Sequence, residues 1–114
     1  MNDGTVIVIN RNGMGRGDPV LTRDKLAPAF LNMLDLGEKV PAAICFYGEG
    51  VQLALDDSPV LEELRSLEAK GVRLIVCTTC LNFLESFDRL AVGTAMGMKE
   101  IVDAQWEAAK VITI

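Results

Sequence analysis

The sequence predicts an α/β fold, a three-layer α/β/α sandwich around a five-stranded, mainly parallel sheet. Three observations support this prediction. The length of 114 residues is that of one ordinary domain, so we expect a single domain over residues 1–114. Short apolar segments rich in β-branched residues alternate with segments whose apolar residues recur at helical spacing. The strand-like segments are continuously apolar, which is typical of strands buried on both faces of a parallel sheet.

Four strands are predicted over residues 5–9, 42–47, 72–76 and 111–114, each a short apolar run with β-branched or aromatic residues. A weaker fifth strand is predicted over 89–92. The segments between them predict helices, so the order is β-α-β-α-β-(short helix)-β-α-β. Right-handed crossovers would place the helices on the faces of the sheet.

The first helical segment has the least regular pattern. Leu26, Phe30 and Leu34 share one helical face, and Thr22 is the candidate N-cap. Pro28 must either start this helix or kink it, because proline has no N–H and a fixed φ.

The other two long helices have clearer signals. Ser58 followed by Pro59 predicts the start of a helix that ends before Gly71. Spacings of three, four and eight residues predict a second apolar helix face, formed by Met98, Ile101, Val102 and Trp106.

The composition excludes several classes of function. The chain contains no histidine, which excludes Ser-His and Cys-His dyads and histidine metal ligands. Its net charge is −5, with 11 basic and 16 acidic residues, so we expect no nucleic-acid partner. The longest apolar runs are far shorter than a membrane span, and the first residues show no signal peptide. We therefore expect a cytoplasmic protein with no membrane partner.

Polar and glycine-rich segments follow the predicted strands, over 10–18, 48–57, 77–80 and 93–97. Ligands of open α/β sheets bind beyond the carboxyl ends of the strands. We therefore expect these four segments to meet at one edge of the sheet and to form the functional site.

The sharpest motif is Cys77-Thr78-Thr79-Cys80. Cys77 is expected at the tip of the third strand and Cys80 in the first turn of the next helix. Helix N-terminal N–H groups, together with those of Thr78 and Thr79, would lower the pKa of a thiol there and favour the reactive thiolate. The third cysteine, Cys45, lies within a predicted strand, and we expect it to be core packing. Three cysteines are too few for a disulfide scaffold, and we expect no metal and no cofactor.

Two further segments supply candidate substrate-binding residues. Gly15, Arg16 and Gly17 follow the first strand, where glycines allow close backbone approach and Arg16 offers a fork for an anion. This loop is equally consistent with a structural turn. After the second strand, Tyr47, Gly48 and Glu49 are expected to face the cysteines. Together with Thr78 and Thr79, these six residues complete the candidate site.

These motifs resemble the DsrE/DsrF-like family of sulfur-relay proteins, a flavodoxin- or Rossmann-like α/β fold. The resemblance is closest to the DsrE-like domain of YedF-type proteins of selenium metabolism. It rests on Met14-Gly15-Arg16-Gly17-Asp18, Phe46-Tyr47, Gly50-Val51, Gly71-Val72, Cys77-Thr78-Thr79-Cys80-Leu81-Asn82-Phe83, Leu90-Ala91-Val92-Gly93 and the final Ala109-Lys110-Val111-Ile112-Thr113-Ile114.

The resemblance implies a sulfurtransferase-like sulfur carrier that holds sulfur as a persulfide. The sulfur-bearing position of the family is matched by Cys77, with Cys80 as its auxiliary neighbour. It also implies a homo-oligomer, trimeric or hexameric, and a sulfur donor or acceptor on another polypeptide, such as a small sulfur-carrier protein. Two alternatives stay open from the residues alone: a dithiol redox protein that uses Cys77 and Cys80, and a non-enzymatic binding or assembly module.

Overall fold

The computed structural model describes residues 4–114. Its sheet has five parallel strands in the order β4-β3-β2-β1-β5. The predicted α/β fold with a five-stranded parallel sheet is thus confirmed. The strands are β1 (Thr5–Ile9), β2 (Ala43–Phe46), β3 (Arg73–Cys77), β4 (Thr94–Met96) and β5 (Lys110–Thr113).

Five α-helices connect the strands: α1 (Pro19–Leu21), α2 (Ala27–Leu36), α3 (Leu61–Ala69), α4 (Thr78–Phe83) and α5 (Met98–Glu107). A π-helical turn (Thr22–Leu26) joins α1 to α2. A 3₁₀ helix (Gly48–Ala54) follows β2, and a shorter one (Phe87–Arg89) precedes β4. Within residues 4–114, no helix is both long and apolar enough to cross a lipid bilayer.

The helices cover both faces of the sheet. The chain crosses from β1 to β2 to β3 in one direction, which places α2 and α3 on the same face, and it reverses before β5, which places α5 on the other. Side chains of β1 agree with this arrangement. Ile7 lies beside Phe30 and Leu34 of α2, whereas Val6 lies near Ala104 of α5. Every residue of β1, β2 and β3 is buried except Arg73, so these three strands form the centre of the core.

The weaker fifth strand of the prediction is placed wrongly. The segment 89–92 is not a strand, and β4 lies at Thr94–Met96, within the segment expected to be a loop. Arg89 ends a 3₁₀ helix, and Leu90 makes only an isolated antiparallel bridge with Leu55. The strand is an exposed edge of three residues, and it is too short and too weakly apolar to show a strand pattern.

The first two of the predicted helical segments begin at residues other than those that the sequence indicates. Asp18, not Thr22, caps the first helical segment: its side chain accepts a hydrogen bond from the N–H of Val20 at 2.9 Å. Thr22 opens the π-helical turn instead, and Pro28 lies in the first turn of α2, as one of the two expected alternatives. The α3 helix begins at Leu61, although Ser58 does accept a hydrogen bond from the N–H of Val60.

The predicted end of α3 is confirmed. Gly71 has a φ of +94°, and the N–H groups of Gly71 and Val72 bond to carbonyl groups of the last helical turn. This arrangement closes a helix with a glycine in the left-handed region.

The apolar pattern of α5 does not all lie in the core. Ile101 and Ala104 are buried, but Met98, Val102 and Trp106 are exposed, Trp106 to 90%. Strand β5 is likewise an exposed edge, paired only with β1, rather than a strand buried on both faces. The chain therefore carries apolar surface on α5 and at one edge of the sheet.

Candidate functional site

The cysteine motif lies where the sequence places it. Cys77 is the last residue of β3, and Cys80 lies in the first turn of α4. The two thiols differ in exposure, because the short helix turns Cys80 outward while Cys77 stays beneath it. Cys77 is fully buried, whereas Cys80 is partly exposed. A reagent that enters from solvent thus meets Cys80 first.

Cys80 faces a cavity of about 320 Å³, which we call the thiol pocket. Its walls come from the 3₁₀ helix after β2 and from α4, and they are Gly48, Glu49, Thr79, Cys80, Phe83 and Leu84. The exposed surface within it is almost entirely apolar. An apolar cavity around a sulfur suits a soft, weakly hydrated ligand atom better than a hard, charged one.

One backbone group points at the sulfur of Cys80. The N–H of Gly48 donates a hydrogen bond to Cys80 Sγ at 3.1 Å. The φ of Gly48 is +57°, a conformation that glycine adopts without strain. No hydrogen bond to a cysteine sulfur comes from Thr78 or Thr79 within residues 4–114, so the donor is not the one that the sequence predicts.

Burial determines how readily the thiols of Cys80 and Cys45 ionise. It raises the pKa of Cys80, and the Gly48 hydrogen bond opposes this rise, while contact with the Cys77 thiol adds to it. The lowered pKa expected from the helix N-terminus is therefore not found. Cys45 is fully buried, which confirms it as core packing, and burial raises the pKa of its thiol to about 11.

The glycine loop after β1 forms a second cavity, which we call the arginine cleft. Its volume is about 490 Å³, and its walls include Arg11, Asn12, Gly15, Arg16, Gly17 and Glu49. Glu49 also lines the thiol pocket, so the two cavities share one wall residue. The segments that follow β1, β2 and β3 thus line two neighbouring cavities, as expected for the carboxyl edge of a parallel sheet.

The structure does not bring all the predicted residues together. Gly48, Glu49 and Thr79 share the thiol pocket with Cys80, and Gly15, Arg16 and Gly17 line the arginine cleft. Thr78 begins α4 beside the buried Cys77. Tyr47 is the exception, because it lines a different cavity with residues of α5. The expectation that Tyr47 faces the cysteines is therefore wrong.

Six wall residues were not among the candidate site residues of the sequence: Arg11, Asn12, Pro19, Thr22, Phe83 and Leu84. Arg11 and Asn12 directly follow Asn10 after β1, so their position on the chain was a usable signal. Phe83 and Leu84 look like ordinary apolar residues in the sequence, yet Phe83 is 85% exposed. Within residues 4–114, no group of three or more metal-ligating side chains lies close enough to hold a metal ion.

Comparison with known proteins identifies relatives of this chain. The chain is similar to a protein of unknown function, MTH1491, from Methanobacterium thermoautotrophicum, with 24% identity, a TM-score of 0.68 and coverage of 96% of this chain and 97% of that chain. It is also similar to the ychN protein of E. coli, with 18% identity, a TM-score of 0.66 and coverage of 98% of this chain and 100% of that chain.

At these identities the two structures bear on the fold alone. None of the curated proteins matches the chain at a significant level. The family model of the DsrE/DsrF-like family matches residues 14–114, which include the whole cysteine motif and most of the glycine loop. The chain therefore belongs to the DsrE/DsrF-like family, a family of the sulfur-relay type.

Proposed function

We propose that this protein is a sulfurtransferase-like sulfur carrier that holds sulfur as a persulfide on Cys80 and passes it to a partner thiol. One observation carries the proposal: Cys80 is a partly exposed thiol in an apolar pocket, with a backbone N–H directed at its sulfur. Membership of a sulfur-relay-type family supports the same chemistry.

The assignment to Cys80 differs from the role that the family resemblance implies for Cys77. Nucleophilic attack needs the attacking thiolate to lie in line with the S–S bond of the donor persulfide. Cys77 is fully buried beneath α4, so a donor cannot reach its sulfur in this way. Cys80 faces the pocket, and the neighbouring Cys77 thiol raises its pKa. Cys77 is therefore proposed as the auxiliary thiol, buried next to Cys80.

The transfer needs no oxidant or reductant. The Cys80 thiolate attacks the outer sulfur of a donor persulfide, the donor S–S bond breaks, and its electron pair leaves with the donor thiolate. In the second half, an acceptor thiolate attacks the outer sulfur of the Cys80 persulfide and releases the Cys80 thiolate. The Gly48 N–H stabilises the anionic sulfur in both halves, and the apolar walls limit access of water.

Mass spectrometry of the intact protein and its peptides tests this proposal. After exposure to a persulfide donor, the wild-type protein should gain the mass of one sulfur atom, located on the Cys80 peptide. Cys80→Ser should lose this adduct, Cys77→Ser should keep part of it, and Cys45→Ser serves as the matched control. An adduct that survives in Cys80→Ser and disappears in Cys77→Ser would move the role to Cys77, and no adduct on any cysteine would refute the sulfur-carrier function.

A second candidate function is a dithiol redox protein in which Cys77 and Cys80 form a disulfide. The Cys77 thiol is near enough to raise the pKa of Cys80, which favours this alternative. The same experiment separates the two functions, because a disulfide lowers the mass by two hydrogen atoms instead of raising it by one sulfur. If the mass neither gains a sulfur atom nor loses two hydrogen atoms, the protein is a binding or assembly module.

We also propose that the protein forms a homo-oligomer, a trimer or hexamer as in its family, and that the sulfur acceptor is a small sulfur-carrier protein. The exposed side chains of Met98, Val102 and Trp106 on α5 form an apolar surface that suits a protein contact. The YedF-type resemblance extends the proposal to selenium. Mass spectrometry distinguishes a selenium adduct from a sulfur adduct directly.

A further inference from the structure

Three charged side chains of the arginine cleft have no partner within the described part of the protein. Within residues 4–114, Arg11, Arg16 and Glu49 make no ion pair and no side-chain hydrogen bond. Two other arginines of this edge behave differently: Arg23 pairs with Asp24 and Asp57, and Arg89 pairs with Asp56 and Asp57. The charges of the cleft are therefore available to a ligand.

The loop that carries these charges is held in place. The N–H of Met14 donates to the carbonyl oxygen of Thr22 at 2.9 Å, and Asn12 Nδ2 donates to Gln52 Oε1 at 3.2 Å. Arg23 Nε donates in turn to Asn12 Oδ1 at 3.2 Å. Because the backbone around Arg11 and Arg16 is fixed to the helix and to the 3₁₀ helix after β2, a ligand does not have to order the loop when it binds.

The pattern of charges points to a zwitterion. Two guanidinium groups match the two oxygens of a carboxylate, and the Glu49 carboxylate matches an ammonium group. Glu49 also lines the thiol pocket, so a ligand whose ammonium group binds Glu49 would bring a third group towards Cys80. The apolar wall around Cys80 suits a sulfur atom as that third group.

We propose that the sulfur donor is a low-molecular-weight amino-acid persulfide, such as cysteine persulfide. Its carboxylate binds Arg11 and Arg16, its ammonium binds Glu49, and its outer sulfur enters the thiol pocket. This inference rests on the proposed function and specifies its donor. The reaction is balanced: the Cys80 thiolate takes the outer sulfur with its proton, and the free amino-acid thiolate leaves with the electron pair of the broken S–S bond.

Three donor persulfides test whether the protein recognises the carboxylate and the ammonium group of the donor. Cysteine persulfide carries both charges, cysteamine persulfide lacks the carboxylate, and N-acetylcysteine persulfide lacks the ammonium. Cysteine persulfide should load Cys80 faster than either analogue does. The second-order rate constant of loading should differ by about tenfold or more, because the loss of one charged hydrogen bond weakens binding by about that factor. The double variant R11Q/R16Q should abolish the preference over cysteamine persulfide.

Glu49→Gln should likewise abolish the preference over N-acetylcysteine persulfide. Arg65→Gln is the matched control, because Arg65 is an exposed arginine of α3 outside both cavities. Equal rates for all three persulfides, with Cys80 loaded each time, would overturn this inference and leave the sulfur-carrier function standing. Faster loading from inorganic thiosulfate than from cysteine persulfide would overturn it in favour of a simple anion. Failure of every donor to load Cys80 would refute the proposed function itself.

Discussion

The N–H of Gly48 and the sulfur of Cys80 are 3.1 Å apart, although 32 residues separate them along the chain. Gly48 follows β2 and Cys80 follows β3, and these strands are neighbours in the sheet. The hydrogen bond therefore joins the two segments that leave the sheet at this edge. It also opposes the burial that keeps the Cys80 thiol protonated.

The reactivity of Cys80 should increase with pH well above neutrality. Because burial raises the pKa of Cys80 above the ordinary thiol value of 9.0, the thiolate is a minor form at neutral pH. The rate of alkylation by iodoacetamide, followed by peptide mapping, should rise with pH and reach its midpoint above 9.0. Cys80 should react before Cys77, and both before Cys45. A midpoint below that value would show that Gly48 and the helix N-terminus outweigh burial.

Replacement of Gly50 should disturb the site from a distance. A Cβ at this position would lie 2.6 Å from the carbonyl carbon of Ile9, at the end of β1, so the 3₁₀ helix Gly48–Ala54 would have to move. Gly50→Ala should lower the free energy of unfolding by about 1–3 kcal/mol, measured by urea denaturation, and should slow alkylation of Cys80. Gly97→Ala is the control, because its Cβ meets nothing closer than 3.9 Å. Equal stability of the two variants would contradict the close contact.

The burial of Cys45 predicts a loss of stability at alkaline pH. Folding raises the pKa of this thiol from 9.0 to about 11, so its contribution is fully present below pH 9.0 and is lost as the pH rises towards 11. The loss should approach about 2–3 kcal/mol in the free energy of unfolding. Cys45→Ala should reduce this part of the pH dependence, measured by urea denaturation at several pH values. An unchanged slope in the variant would assign the alkaline loss to other groups.

Asp35 should stabilise the contact between α2 and α3. Its carboxylate accepts hydrogen bonds from Lys70 Nζ at 2.7 Å and from Ser66 Oγ at 2.8 Å. The bond to Lys70 lowers the pKa of Asp35 below 3.8, so the stabilisation is present above pH 3.8 and is lost as the pH falls through the native pKa.

Asp35→Asn should reduce the free energy of unfolding at neutral pH by about 1 kcal/mol, a modest value because Lys70 is half exposed. The difference from wild type should shrink in acid, as measured by thermal or urea unfolding. Asp103→Asn is the control, since that carboxylate pairs with the well-exposed Lys99, and it should change stability little. An effect of equal size in both variants would count against a specific role of the Asp35 contact.

Trp106 should report on assembly. Its side chain is 90% exposed, beside Met98 and Val102 on α5. If this surface forms the contact between subunits, tryptophan emission should shift to shorter wavelength as the protein concentration rises, and light scattering should show a multiple of the subunit mass. Trp106→Lys should favour the monomer, whereas Leu36→Lys, at an exposed position of α2, should not. A monomer at all concentrations would contradict the proposed oligomer.

The central strands could be predicted because burial on both faces makes them continuously apolar. Predicted segments 5–9, 42–47 and 72–76 correspond to Thr5–Ile9, Ala43–Phe46 and Arg73–Cys77. The edge strand Thr94–Met96 could not be predicted, since three residues, one exposed and two half-buried, are too few to show an apolar run or an alternating pattern.

The site was predictable as a region but not in detail. Any parallel sheet gathers its carboxyl-end loops, so Gly48 and Cys80 were expected together. Successive side chains of a strand point to opposite faces of the sheet, so an error of one residue reverses the expected face. Tyr47 lies on the face that α5 covers, not in the thiol pocket with Cys80. The positions of Cys77 and Cys80 in strand and helix could be predicted, whereas the full burial of Cys77 depends on tertiary packing around it.

The π-helical turn Thr22–Leu26 has a consequence for how the length of this protein can vary. Thr22 and Ala27 are both buried although five residues separate them, a spacing that an ordinary α-helix would place on different faces. The wide turn absorbs the additional residue. Deletion of one residue here would restore an α-helical turn and keep both positions on the core side. A deletion further along α2 would instead rotate every following side chain by about 100°. Relatives that differ by one residue in this helix should therefore differ within this turn.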